Sequence, residues 1–286
     1  MKREGFNLVV ISLLAALGLS LYVGQMHAAV TMPPEARPLK RHFYKKLNTC
    51  DYLEVYVKHQ VKLWWDQDKS ITGKLLKLLY ADCMVNAGAP SYPVFLGRRD
   101  GFDSNAAWVD LPSPGISIQQ GLAYFQSKGL DQQDYATLLG AHTLGKAHCA
   151  YIRDRLYNFR NSGKPDPSMS KASLDKLRKQ CPQTLRKGQK DPTVFLTDKN
   201  RERYRFTNTY YSNVLSHDSV LGVDQQLLNN YNTTQLVLEY AGSFENLKKG
   251  FALSISRMGS RKVLTGEQGE IRQNCRLTNK NNPKIK

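Results

Sequence analysis

Acidic side chains are scarce in this sequence, with 24 Asp and Glu against 41 Lys and Arg, and alternating apolar–polar stretches are few and short. The second scarcity argues against a sheet-built fold. The first leaves a formal net charge of +17, which bears on association rather than on fold. No nucleic-acid motif accompanies the basic residues, which are spread along the chain. There is no internal repeat and no low-complexity tract. The five cysteines, Cys50, Cys83, Cys149, Cys181 and Cys275, match no zinc spacing. Their odd number leaves at least one thiol unpaired in an oxidising compartment. Asn232-Thr233-Thr234 is the single glycosylation sequon found.

The sequence opens with what reads as a targeting segment. Lys2 and Arg3 precede an apolar run from Leu8 to Val23, followed by the small residues Ala28 and Ala29. Residues 1–29 are expected to be a signal peptide, with an uncleaved anchor as the alternative because the run nearly reaches spanning length. Met26 and His27 make the cleavage site imperfect. Export would take the basic surface away from nucleic acid and towards acidic polymers or acidic membranes.

The remainder, 30–286, reads as one mostly α domain. Leu53, Val57, Val61 and Trp64 recur at helical spacing, as do Ile118, Leu122 and Phe125. A further helix carries Leu138 and Leu139, and another the stripe Phe244, Leu247, Phe251, Ile255 and Met258. Ser70 is placed to cap a more buried helix through Leu75, Leu76, Leu78 and Leu79. Residues 90–115 read as loop, and Gly163 to Arg205 as a long irregular excursion.

Among six histidines, His142 differs from the rest. It closes the run Leu138-Leu139-Gly140-Ala141-His142-Thr143-Leu144-Gly145, where Gly140, Ala141 and Gly145 leave room beside the imidazole. Such a ring suits axial ligation of a haem iron, although a lone histidine is more often structural. This run resembles the proximal haem-ligand signature of secretory plant peroxidases, the class III haem peroxidases. The resemblance extends over nearly all the chain after the leader. Pro90-Ser91-Tyr92-Pro93, Leu96-Gly97-Arg98-Arg99-Asp100-Gly101, Leu111-Pro112-Ser113-Pro114 and Val223-Asp224-Gln225-Gln226-Leu227 are similar to family loops in order. Met258-Gly259, Leu264-Thr265-Gly266 and the run from Gly269 to Arg276 are similar to the closing helix and tail.

The resemblance implies an all-α haem-peroxidase-like fold, haem b, and hydrogen-peroxide-dependent oxidation of phenolic donors by a secreted monomer, extracellular or in the cell wall. A vacuolar or membrane-anchored location is the alternative. His142 would bind the iron, and Asp224 would accept a hydrogen bond from its other ring nitrogen, making the imidazole more electron-rich. The alternative reading of Asp224 is a helix cap or surface acid. Pro112 would present its carbonyl to aromatic substrates, or be a simple turn proline. Cys149 would pair with Cys181.

Departures from the family pattern concern the opposite haem face. Leu75 to Cys83 is similar to the distal helix, but Lys77 stands where the family has Arg and Ala81 where it has His. Those groups stabilise charge and shuttle the proton of bound peroxide, general acid–base help worth roughly 10²–10⁴ in rate. Ala81 can do neither, Lys77 lacks the planar fork of Arg, and the Tyr80 phenol is a poor base near neutrality. Between Asn86 and Ala87 several dozen family residues are absent, an apparent internal deletion that removes the partners of Cys50, Cys83 and Cys275. Calcium is doubtful: Asp82 and Val85 are all that is left of the distal set. Thr143 matches a proximal ligand, but Thr197 and Thr207 replace carboxylates. The expected protein therefore has strongly reduced activity. The alternatives are a non-catalytic haem-binding or acidic-polysaccharide-binding relative and a poorly folded truncated product.

Overall fold

A computed structural model describes residues 39–68, 92, 94–103, 105, 107, 110–197 and 204–285. All of them belong to one compact unit, Met32–Lys286. The architecture is helical. In chain order the α-helices are α1 Phe43–Lys46, α2 Leu53–Gln67, α3 Ile118–Ser127, α4 Gln132–Leu139, α5 Arg153–Tyr157, α6 Lys171–Gln180, α7 Thr209–Leu215, α8 Gly222–Gln225, α9 Tyr231–Gly242 and α10 Phe244–Gly259. The described strands, β1 Lys146–His148 and β2 Thr193–Phe195, pair antiparallel with Ala147 opposite Val194.

Local chemistry fixes where the core helices start. Ser117 and Gln120 close a capping box on α3, and Asp131 and Asp134 do the same on α4. Ser170, Asn230 and Ser243 cap α6, α9 and α10 through their side-chain oxygens, each such cap being worth about 1 kcal/mol. The core then forms where α4 lies against α10, α9 and α3, and where α7 lies against α9. Tyr135 and Ala136 of α4, Val237 of α9, and Leu247 and Phe251 of α10 are almost wholly buried there. Asp134 also reaches Arg257 of α10 at 2.9 Å, so the cap of α4 doubles as a link to α10.

The helical expectation holds, with two corrections. The inward stripe of α2 runs through Leu53, Val57 and Val61 to Trp65, while Trp64 is 48% exposed. One residue of helical rotation separates the two tryptophans, which the spacing alone did not resolve. The excursion after Gly163 contains a ten-residue helix, α6, packed through the buried Leu177 and held by the Cys149–Cys181 disulfide, whose Cα atoms lie 5.4 Å apart. Cys50 and Cys275 are free and exposed thiols. The helix expected around Leu75–Leu79, together with Lys77, Tyr80, Ala81, Asp82, Cys83 and Val85, lies outside the described residues.

Candidate functional site

The site begins at the end of α4. There the chain tightens into a 3₁₀ turn, Gly140–Thr143, which carries His142, and leaves it through Gly145 at φ +96°. An added Cβ at Gly145 would have nothing within 4 Å, so it is the positive φ rather than crowding that calls for glycine there. Gly140 serves a different purpose. Its Cβ would come within 2.4 Å of the Tyr211 hydroxyl, so its smallness lets α7 approach α4 and does not make room for a ligand.

Opposite the turn, the short helix α8 presents Asp224. His142 donates from Nδ1 to Asp224 Oδ1 at 2.8 Å, and the side chains are 31% and 3% exposed respectively. The Tyr210 hydroxyl on α7 donates to the same oxygen at 3.0 Å. Burial works against a charged His142 ring, but the charge and hydrogen bond of Asp224 outweigh it and raise the pKa above the usual histidine value. With Nδ1 engaged, Nε2 is the nitrogen left for a ligand, and it has no hydrogen-bond partner among the described residues. A part-exposed imidazole oriented by a buried carboxylate is the donor arrangement of a metal-ligating histidine. These residues therefore fit a haem iron bound at Nε2.

Neighbouring elements hold α8 in place. The guanidinium of Arg155, 2% exposed on α5, donates from Nε to Asp166 Oδ2 at 2.7 Å. Its Nη1 donates to the carbonyls of Ser219 and Val220, both at 2.8 Å, just before α8 starts. Val223 N–H donates to Pro114 O at 2.8 Å, which ties the exposed Pro112 loop to the helix bearing Asp224. Sequence reasoning picked out His142, Asp224 and Pro112 but missed Tyr210 and Arg155. Neither stands in a distinctive local pattern; their roles come from packing.

Thr143, Thr197 and Thr207 also meet. Thr143 Oγ1 is 3.4 Å from Thr207 Oγ1, and the Thr197 hydroxyl donates to the backbone carbonyl of His142 at 3.4 Å. Thr143 and Thr197 are buried. The cluster has no carboxylate, and hydroxyls offer a hard cation no charge. Among the described residues there is no group of three or more His, Cys, Asp or Glu able to hold a metal ion.

A mostly helical fold with a histidine oriented by a buried carboxylate has the donor arrangement that a metal-bearing cofactor needs, and comparison with known proteins gives the family. The sequence profile described as "Peroxidase" matches residues 82–243. The chain is 45% identical over 316 residues to probable peroxidase 61 of Arabidopsis thaliana, covering 90% of this chain and 93% of that protein. It is 42% identical over 322 residues to probable peroxidase 26 of the same plant, covering 92% and 96%. Against peroxidase 57, also of Arabidopsis thaliana, the identity is 37% over 205 residues, 72% of this chain and 63% of the relative. The chain belongs to the peroxidase family, among the plant class III peroxidases. In the first of these alignments 90% of 286 residues is about 257, so about 60 of the 316 aligned positions have no counterpart here.

Proposed function

We propose that the protein is a secreted haem b protein of this family whose peroxide-dependent oxidation of phenolic donors is strongly reduced. The observation that carries the reading is the His142–Asp224 couple, 2.8 Å between Nδ1 and Oδ1. Bound haem supplies the redox-active iron that passes oxidising equivalents from hydrogen peroxide to a donor. The chain's own contribution on this side is to present Nε2 as the ligand, keep the ring from turning, and enrich it with electron density from Asp224. Pro112 is the position that the resemblance assigns to an aromatic donor, and the bond from Val223 N–H to Pro114 O supports a loop held firmly against α8 there.

Reduced activity follows from the residues at positions 77 and 81, which the resemblance assigns to the opposite haem face. Ala81 cannot take a proton from peroxide or return one to the departing oxygen, and Lys77 can offer only a mobile point charge. The positions without counterpart in this chain fit a missing block between Asn86 and Ala87. That block would take with it the partners of Cys50, Cys83 and Cys275 and most of a distal calcium set, leaving Asp82 and Val85. The neutral cluster at Thr143 supports weak or absent proximal calcium as well.

A second reading, a non-catalytic binder of acidic wall polysaccharide, has one observation in its favour. Residues 171–190 carry seven Lys and Arg against one Asp, and most of these basic side chains are exposed.

Reconstitution with haem separates the readings. The folded protein should show a histidine-ligated Soret band that His142→Ala abolishes, and an unaltered spectrum in that variant would refute the iron assignment. Turnover of a phenolic donor should be far below that of a family member with the distal Arg and His. Ala81→His with Lys77→Arg should raise it. No gain in a folded, haem-loaded double variant would place the limit in the missing block instead.

A further inference from the structure

The Asp224 carboxylate serves two donors through one atom. Oδ1 accepts from His142 Nδ1 at 2.8 Å and from the Tyr210 hydroxyl at 3.0 Å, and Asp224 is 2% exposed. Tyr210 is itself buried at 4% exposure. Its ring meets the His142 ring edge-on, with centroids 6.4 Å apart at 70°, and is braced from behind by Tyr211 at 4.8 Å and 87°. The phenol is therefore not free to swing away. Burial, and after it the Asp224 charge, pushes its pKa well above the usual tyrosine value, so it stays a donor wherever the protein is folded.

Two hydrogen bonds into one oxygen draw on the same negative charge. Whatever the phenol takes is unavailable to the imidazole proton, so the Nδ1–H···Oδ1 bond is weaker than it would be with Asp224 serving His142 alone. We propose that Tyr210 is a positioning residue whose hydroxyl, by sharing Asp224 Oδ1, sets how strongly the carboxylate draws on the His142 proton and so how electron-rich Nε2 is towards a bound iron. The part concerning iron rests on the haem assignment above; the part concerning the hydrogen bond does not.

The test reads both parts separately. In the haem-free protein the His142 Nδ1–H proton resonance reports the strength of its bond to Asp224. Tyr210→Phe should move it downfield, because the oxygen then serves one donor. Tyr211→Phe is the control. It removes a buried hydroxyl from the same helix, but that hydroxyl donates to the carbonyls of Ala136 at 3.0 Å and Thr137 at 3.2 Å, so the resonance should stay where it is. Replacing the Tyr210 phenol with difluorotyrosine, nearly the same shape and a stronger donor, should move the resonance upfield. This gives an answer of opposite sign even if Tyr210→Phe does not fold. In haem-loaded protein Tyr210→Phe should lower the midpoint potential of the iron, while Tyr211→Phe should not. No shift in the Tyr210 variants, or equal shifts in the Tyr210 and Tyr211 variants, overturns the proposal. A downfield shift without a potential change would leave the hydrogen-bond competition standing and sink its link to the iron.

Discussion

Replacing Arg155 with Met should be among the most costly single changes away from His142, and the structure shows why. Arg155 is 2% exposed and Asp166 4%. The guanidinium is bonded to Asp166 at 2.7 Å and to two backbone carbonyls at 2.8 Å. Met fills most of the volume but returns none of these bonds. Asp166 would keep its Ser168 contacts, N–H at 2.9 Å and hydroxyl at 2.6 Å, yet lose the only opposite charge it is paired with among the described residues. Breaking a buried pair from one side costs about 3–5 kcal/mol. One term offsets part of that: Nη2 of Arg155 is buried with no partner among the described residues, so its removal relieves some desolvation. The expected loss is therefore near the lower end, about 3 kcal/mol, against a total stability of about 5–15 for an ordinary domain. Urea unfolding of the haem-free protein at neutral pH measures it. Arg155→Met with Asp166→Leu should recover about half of the loss, since no charge is then stranded. Acid gives a second signature. Burial alone would raise the Asp166 pKa, but the Ser168 and Arg155 bonds outweigh it and hold it below the usual carboxylate value. A depressed carboxylate contributes stability above its unfolded pKa, about 3.9, and that stability is lost as pH falls through the folded value. The wild type should lose stability across that acid window more steeply than Arg155→Met. A single-variant loss under about 1 kcal/mol, or a double variant no better than the single, would refute the reasoning.

Two further outcomes are expected. The raised His142 pKa contributes stability that is fully present below the unfolded value, about 6.5, and is lost as pH rises through the folded one. Haem-free protein should therefore weaken on going alkaline, and in Asp224→Asn, where burial acts alone, the slope should flatten or reverse; identical slopes would count against the couple. Millimolar calcium or a chelator should leave the parent Tm unchanged, whereas Thr197→Asp with Thr207→Asp should lower Tm in chelator and restore it with calcium. A parent Tm that falls in chelator would show that the hydroxyl cluster is not the neutral substitute it is taken for.

The helical class and the core helices could be read from the sequence because their signals are local. The stripes Ile118, Leu122, Phe125 and Leu247, Phe251, Ile255 repeat within a turn or two of chain. Helix α6 was hidden because its one buried leucine, Leu177, is surrounded by lysines and arginines, so the apolar stripe is too thin to register. Trp64 and Trp65 could be told apart only by the direction in which α2 faces. His142 and Asp224 were legible through their motifs. Gly140 was misread because the atom that requires its smallness, the Tyr211 hydroxyl, sits on a helix 71 residues later in the chain. The same holds for Tyr210, which gains meaning only once α7 and α8 are side by side.

The two sides of the site also differ in what they depend on. The bonds that place Asp224 come from residues 114–224: Pro114 O to Val223 N–H, Arg155 to the Ser219 and Val220 carbonyls, and Tyr210 to the carboxylate itself. The Cys149–Cys181 disulfide, between cysteines 32 residues apart, lies inside the same span. None of these ties needs the roughly 60 aligned positions that have no counterpart here in the match to probable peroxidase 61. On the proposed reading, the replacements at Lys77 and Ala81 cost the proton-transfer groups and the absent positions cost disulfide partners, and neither touches the bonds that orient the His142 imidazole. That asymmetry makes a protein that binds haem but turns over slowly physically coherent. It also makes the His142 Nδ1–H resonance, rather than peroxide turnover, the measurement that reports on the surviving half.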